Sequence, residues 1–208
     1  MCPISDSEIH DIVQRVVQRR LGTLPDLPPI EQSLPPSAAP KPAPDKPLDL
    51  QAGAKRIVAI GADHGGYDLK EVIKKYLVEL GYEVTDCGTK DKSAVDYPDF
   101  ASAVASLISQ GKAWRGIMID GAGVGSCMVA NKIPGVRAAM CYDYSSALNS
   151  REHNDANVLT LGAGLIGENL AKQIVKTWLS TEFLGGRHTP RVEKIMAVEK
   201  QYLKGGNS

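Results

Sequence analysis

The chain has 208 residues, more than the roughly 150 of one ordinary domain, so about fifty residues need a separate explanation. Lysine plus arginine and aspartate plus glutamate each total 24, which excludes the global basic field expected of a protein that binds nucleic acid or an anionic membrane. Hydrophobic residues at 43% suffice for a core. The apolar runs fall short of the roughly 18 residues that span a bilayer, and four cysteines without a CxxC pair suit neither a disulfide scaffold nor a metal knuckle.

The first expected element is an amphipathic helix within residues 1–24. Ile9, Ile12, Val13, Val16, Val17 and Leu21 recur with a helical period of about 3.6 residues, opposite His10, Asp11, Gln14, Arg15, Gln18 and Arg19. Ser5 and Glu8 fit a capping box, and Gly22 stands where a helix would stop. The opening MCPISDSE has no basic and apolar run of a secretory signal, and the cysteine usage points to a reducing, cytoplasmic location. Residues 25–54 read as a linker, because nine of the thirteen prolines lie between Pro25 and Pro47 and deny the backbone both helix and sheet. A short helix on such a tether is marginal alone, so its stripe needs a partner: its own body, another protein, or a membrane surface. The combination resembles the encapsulation peptides that direct cargo enzymes into bacterial microcompartments. That resemblance implies that residues 4–22 dock on a shell or cargo protein, and that the chain resides inside such a compartment.

From Lys55 to the end, one domain is expected. The runs 56–61, 82–88, 116–121, 136–142 and 157–163 read as strands, with helices at 68–80, 99–110 and 168–179. Strand and helix in this alternation predict an α/β fold with a five-stranded parallel sheet covered on both faces, and ligands in such folds bind beyond the carboxyl ends of the strands.

Chemistry is therefore sought at the strand ends. GADHGG places Asp63 and His64 after the first strand, and Asp120 with GAGVGS follows the third. Gly121, Gly123 and Gly125, with Ala122 and Val124 between them, would let the loop curl its N–H groups inward as an anion nest, or would simply make tight turns. REHNDAN closes a helix with His153 and Asn154, where the histidine could alternatively cap its own helix. GGRHTPR supplies Arg187, His188 and Arg191 together, where the arginine pair could be no more than a solvated face. No Walker loop or dinucleotide fingerprint is present in the sequence.

Taken in order, GADHGGYDLK, the DYP at 96–98, GAGVGS followed by Ala130, Asn131 and Lys132, REHNDANV, and GGRHTPRV resemble the type B ribose-5-phosphate isomerases and the related galactose-6-phosphate isomerase subunits. The resemblance implies a Rossmann-like three-layer α/β/α domain that forms a homodimer or higher homo-oligomer with shared active sites, acts on a phosphorylated sugar, and needs no metal or organic cofactor. It further implies that His153 opens the sugar ring and Asn154 binds beside it. Asp63 and His64 would contact hydroxyls, residues 121–125 the enediolate, and Arg187 and Arg191 the phosphate.

The sequence departs from that family at the base. Members acting on ribose phosphate commonly carry cysteine where Asp120 stands and threonine where Ala122 stands, others carry glutamate where Ser126 stands, and many have a further arginine where Gly164 stands. Asp120 is the expected base. Its ordinary proton affinity is about 6 kcal/mol below that of a thiol, so it would need help from its surroundings. Cys127 is a second candidate, though its place in the next helix suits a buried structural thiol. Aspartate at this position also resembles the A-type galactose-6-phosphate isomerase subunit, so an incomplete subunit needing a cysteine-bearing partner chain, or a phosphosugar-binding module, stands as the alternative.

Overall fold

The chain divides into two units, Met1–Pro47 and Leu48–Ser208. A computed structural model describes Asp11 of the first, helical and exposed, and residues 56–203 of the second. Apart from Asp11, the helix expected within residues 1–24 and the linker expected at 25–54 lie outside the described residues.

The five apolar runs form five parallel strands: β1 Ile57–Ala62, β2 Glu83–Asp86, β3 Arg115–Asp120, β4 Ala138–Met140 and β5 Val158–Gly162, in the sheet order β2-β1-β3-β5-β4. Successive side chains of a strand point to opposite faces, so Ile117 and Ile119 of β3 join Val58, Ile60, Leu159 and Leu161 in one core layer, while Met118 joins Ala59 in the other. Parallel neighbours require crossover helices, and these cover both faces. Helices α1 (Tyr67–Glu79), α4 (Tyr144–Glu152) and α5 (Glu168–Ser180) pack on the first layer, and α2 (Tyr97–Ser109) and α3 (Val124–Ala130) on the second. The result is the Rossmann-like α/β/α arrangement expected from the sequence.

Two glycines allow α2 to lie close to the sheet, because a Cβ on Gly61 or Gly116 would stand 2.7 Å from a methyl of Val104. On the other face, fully buried Trp178 of α5 donates its indole N–H to Ser150 of α4 at 3.1 Å, which joins the two helices.

After α5 the chain makes a 3-10 turn, Gly186–His188, and a final helix α6, Thr189–Leu203. Helix α6 was not among the elements expected from the sequence. It buries none of its residues and leaves Ile195, Val198, Tyr202 and Leu203 exposed. Each crossover helix carries the chain from the carboxyl end of one strand to the amino end of another. The two ends of the six-residue β3 lie about 16 Å apart, at roughly 3.3 Å per residue.

Candidate active site

At the carboxyl end of the sheet, Asp63 is buried after β1 and accepts the Gly66 N–H at 3.0 Å, shaping the turn into α1. His64 is exposed, with Nδ1 against the backbone of Val95 at 3.1 and 3.2 Å, so Nε2 is the ring nitrogen left for a ligand. The segment carrying Val95 is fastened from below by Lys70. Its fully buried ammonium donates to both oxygens of Asp86, at 3.1 and 3.0 Å, and to Thr89 O at 2.8 Å. Burial opposes ionisation of Asp86, but hydrogen bonds from Lys74, Lys70 and the Gly88 N–H hold its carboxyl below the ordinary range.

Asp120 ends β3, and its carboxylate turns into the loop that follows. Oδ1 accepts the N–H of Ala122 at 2.8 Å and closely that of Gly123, while Oδ2 accepts the N–H of Ser126 at 3.2 Å and closely its hydroxyl. Gly123 caps α3 at φ 78°, a left-handed backbone suited to glycine. Within the loop where an anion nest was expected, the N–H groups of Ala122 and Gly123 turn to the protein's own aspartate. Four bonds fill the four acceptor directions of a carboxylate, so a substrate reaching Asp120 must displace a donor. Val124 and Gly125 open α3, where first-turn N–H groups have no partner within the helix.

Two further residues border this loop. Tyr97 lies so close to Gly125 that a Cβ there would stand 2.7 Å from its hydroxyl oxygen. Cys127 lies within α3 as expected, but is half-buried, with its thiol 3.5 Å from Ala138 O.

The remaining candidates occupy the opposite end of the sheet. His153 is the C-cap of α4, which runs back from β4, and Asn154 follows it before β5 begins. Arg137, just before β4, donates to Asn154 O at 3.2 Å, which puts the pair beside the amino end of β4. Arg115, at the amino end of β3, likewise binds Trp178 O and Leu179 O at 2.6 and 2.9 Å and so fixes where α5 ends. From there the Leu184 N–H returns to Glu152 O at 3.1 Å, and the turn with Arg187, followed by Arg191 in the first turn of α6, stands beside His153. The rings of His153 and His188 stack 4.1 Å apart at 6°.

These contacts set proton positions. Asn154 Nδ2 lies 3.4 Å from Asn149 Oδ1, and Asn149 Nδ2 lies 2.8 Å from His153 Nδ1, so Nδ1 accepts and the neutral ring carries its proton on Nε2. His188 is buried, and that burial, with His153, Arg187 and Arg191 nearby, pushes its imidazole below the ordinary histidine value against an opposing pull from Glu152. It is thus neutral at pH 7. The guanidinium groups of the exposed Arg187 and Arg191 are open to solvent, apart from the Arg187 Nε–H bond to His188 Nε2 at 3.3 Å.

One chain therefore brings together Asp63, His64, Asp120 and residues 121–125 at one end of the sheet, and His153, Asn154, Arg187 and Arg191 at the other. The expectation that all the chemistry lies beyond the carboxyl ends needs correcting for the second group, because a helix returning from β4 delivers its last residues to the amino end. Sequence reasoning also passed over Tyr97, Asn149 and the Asp120–Ser126 bond. The DYP motif was the available signal for Tyr97. Among the described residues, no group of three or more His, Cys, Asp or Glu side chains is placed to hold a metal ion, and no helix is long and apolar enough to cross a membrane.

Residues 58–195 match the family model described as Ribose/Galactose Isomerase. The chain is 47% identical over 144 residues to ribose-5-phosphate isomerase B of Escherichia coli, covering 69% of this chain and 97% of that one. It is also 47% identical over 146 residues to D-erythrulose-4-phosphate isomerase of Pectobacterium atrosepticum, covering 69% and 95%. Among solved structures, ribose-5-phosphate isomerase B of Clostridium thermocellum superposes with a TM-score of 0.69 at 52% identity, covering 70% of this chain and 99% of that one. The Mycoplasma genitalium ribose-5-phosphate isomerase B with bound ribulose-5-phosphate gives 0.69 at 38% identity, covering 72% and 99%.

Proposed function

Because this chain belongs to the ribose/galactose isomerase family, we propose that it interconverts an aldose phosphate and a ketose phosphate of the ribose 5-phosphate type through an enediolate, in sites shared between two copies. The observation that carries this reading is the division of the candidate groups between the two ends of the sheet, about 16 Å apart by the strand rise. A sugar phosphate at the residue 121–125 loop reaches the guanidinium pair and His153 when a second copy presents its amino-end group there. Exposed apolar side chains beside both groups support such a contact: Val124 and Met128 on α3, and Ile195 and Val198 on α6.

In this assembly the phosphate sits between Arg187 and Arg191, whose planar forks suit its oxygens. His153 gives its Nε2–H to the ring oxygen and takes up at Nε2 the proton that the C1 hydroxyl releases, so the neutral ring is restored as the furanose opens to the aldehyde. Asp120 then takes the C2 proton and returns it to C1 while the C2 hydroxyl proton passes to O1, and first-turn N–H groups of α3 stabilise the negative charge on the enediolate oxygens. To act, Asp120 exchanges the Ser126 hydroxyl for a substrate group, at a cost of about 1.5–3 kcal/mol for one charge-assisted hydrogen bond.

The purified chain is expected to turn over ribose 5-phosphate in a panel of aldose and ketose phosphates. Tight binding with no turnover of any member would favour a phosphosugar-binding module or an incomplete subunit, a reading that the fully engaged Asp120 carboxylate supports.

The stripe of Ile9, Ile12, Val13, Val16, Val17 and Leu21 on its proline tether supports a finer proposal, that residues 4–22 dock on a shell or cargo protein of a microcompartment. A reporter carrying residues 1–54 should gather with such compartments, and its Ile12→Asp form should not. Identical distributions of the two would contradict the idea.

A further inference from the structure

We propose that Asp155 is a positioning residue for ring opening: clamped between Arg137 and Arg151, its carboxylate holds His153 and Asn154 in the geometry that meets the substrate. This rests on the isomerase reading above. Among the described residues, Asp155 is the non-glycine residue with positive φ, at 47°, a conformation that persists in ordinary side chains where the surroundings enforce it. Those surroundings are two arginines. Asp155 Oδ2 meets Arg137 Nη2 at 2.8 Å, and Oδ1 meets Arg151 Nη1 at 2.8 Å.

Each arginine has a second grip on the same loop. Arg137 donates to Asp155 O at 2.9 and 2.7 Å and to Asn154 O at 3.2 Å, which pins the two residues after His153 to the start of β4. Arg151 is buried and donates closely to Ala156 O and at 3.2 Å to Thr181 O, on the segment leading toward Arg187. Removing the carboxylate leaves the buried Arg151 cation without its anion and frees the left-handed residue to relax. The backbone that aims the His153 ring then shifts. The carboxylate itself reaches neither substrate nor ring, so its effect passes through His153.

Loss of stability alone would affect every substrate equally, and a displaced ring-opening group would not. Ribose 5-phosphate closes through its C4 hydroxyl, whereas erythrulose 4-phosphate and the 4-deoxy analogue of ribose 5-phosphate cannot form a furanose. Full-length Asp155→Gly, Asp155→Ala and Asp155→Asn would be compared with the unmodified chain for melting temperature and for kcat on ribose 5-phosphate and on an open-chain substrate. Glycine tolerates the positive φ but supplies no anion, so Asp155→Gly and Asp155→Ala should both lower the ribose 5-phosphate to open-chain kcat ratio by roughly tenfold to a hundredfold, the scale of a misplacement of about 1 Å. Asp155→Asn keeps one carbonyl oxygen for an arginine and should recover part of the ratio. An unchanged ratio in folded Asp155→Gly would overturn the proposal. So would a glycine variant equal to the unmodified chain beside a defective alanine variant, since backbone strain alone would then explain the residue. Absence of turnover by the unmodified chain would overturn the isomerase reading, and this proposal with it.

Discussion

Replacing His153 with glutamine should lower turnover of ribose 5-phosphate by about 10²–10⁴-fold, the range that a positioned acid–base group contributes. Turnover of erythrulose 4-phosphate should fall far less. The asymmetry follows from where the proton sits and from what the substrate needs. Asn149 donates to Nδ1, so the proposed acid is Nε2–H, and stacking on the neutral His188 ring holds the plane of His153. Glutamine keeps a donor of similar size but cannot pass a proton to a leaving ring oxygen. A four-carbon 4-phosphate has no ring to open, so it bypasses that step while still using the base and the phosphate grip. Steady-state kinetics on the two substrates reads the difference directly. Equal losses on both would remove His153 from ring opening and leave it as the helix cap that it also is.

Replacing Asp120 with asparagine should be the most damaging change at the other end, with kcat reduced by at least about a thousandfold. Two effects combine. Asparagine cannot accept the C2 proton, and its amide NH₂ would face the Ser126 N–H, donor against donor, where Oδ2 now accepts. The glycine loop would then open where that carboxylate now closes it. A companion variant separates the two effects. Ser126→Ala removes the hydroxyl that occupies Oδ2 and leaves the N–H bonds from Ala122, Gly123 and Ser126, so it should retain turnover if Asp120 is the base. If Asp120→Asn is as active as the unmodified chain, the proton transfer belongs to another group, and Asp120 serves only to close the loop.

The sheet was legible because its strands carry short β-branched runs that end in glycine or polar clusters, and each run becomes a strand within a few residues. Helix α6 was not, because its apolar residues, Ile195, Val198, Tyr202 and Leu203, bury nothing against their own chain. In the shared-site proposal they face a second copy of the chain. The engaged state of Asp120 was also hidden, since it depends on a left-handed Gly123 that brings Ser126, six residues away, back onto the carboxylate. The two-ended arrangement could have been read from order alone. Asp63 follows one strand and Asp120 ends another, whereas His153 and Asn154 precede one, so in a parallel sheet they lie at opposite ends.

That arrangement leads to the most direct test of a site shared between copies. Chains carrying Asp120→Asn and chains carrying His153→Gln, each nearly inactive alone, are coexpressed or mixed under conditions that exchange subunits, and ribose 5-phosphate turnover is measured. Shared sites predict recovery to about a quarter of the unmodified activity, because half of randomly formed dimers are mixed and each mixed dimer has one intact site of two. Turnover no higher than the average of the two parent proteins, in a sample shown to contain mixed dimers, would contradict the account.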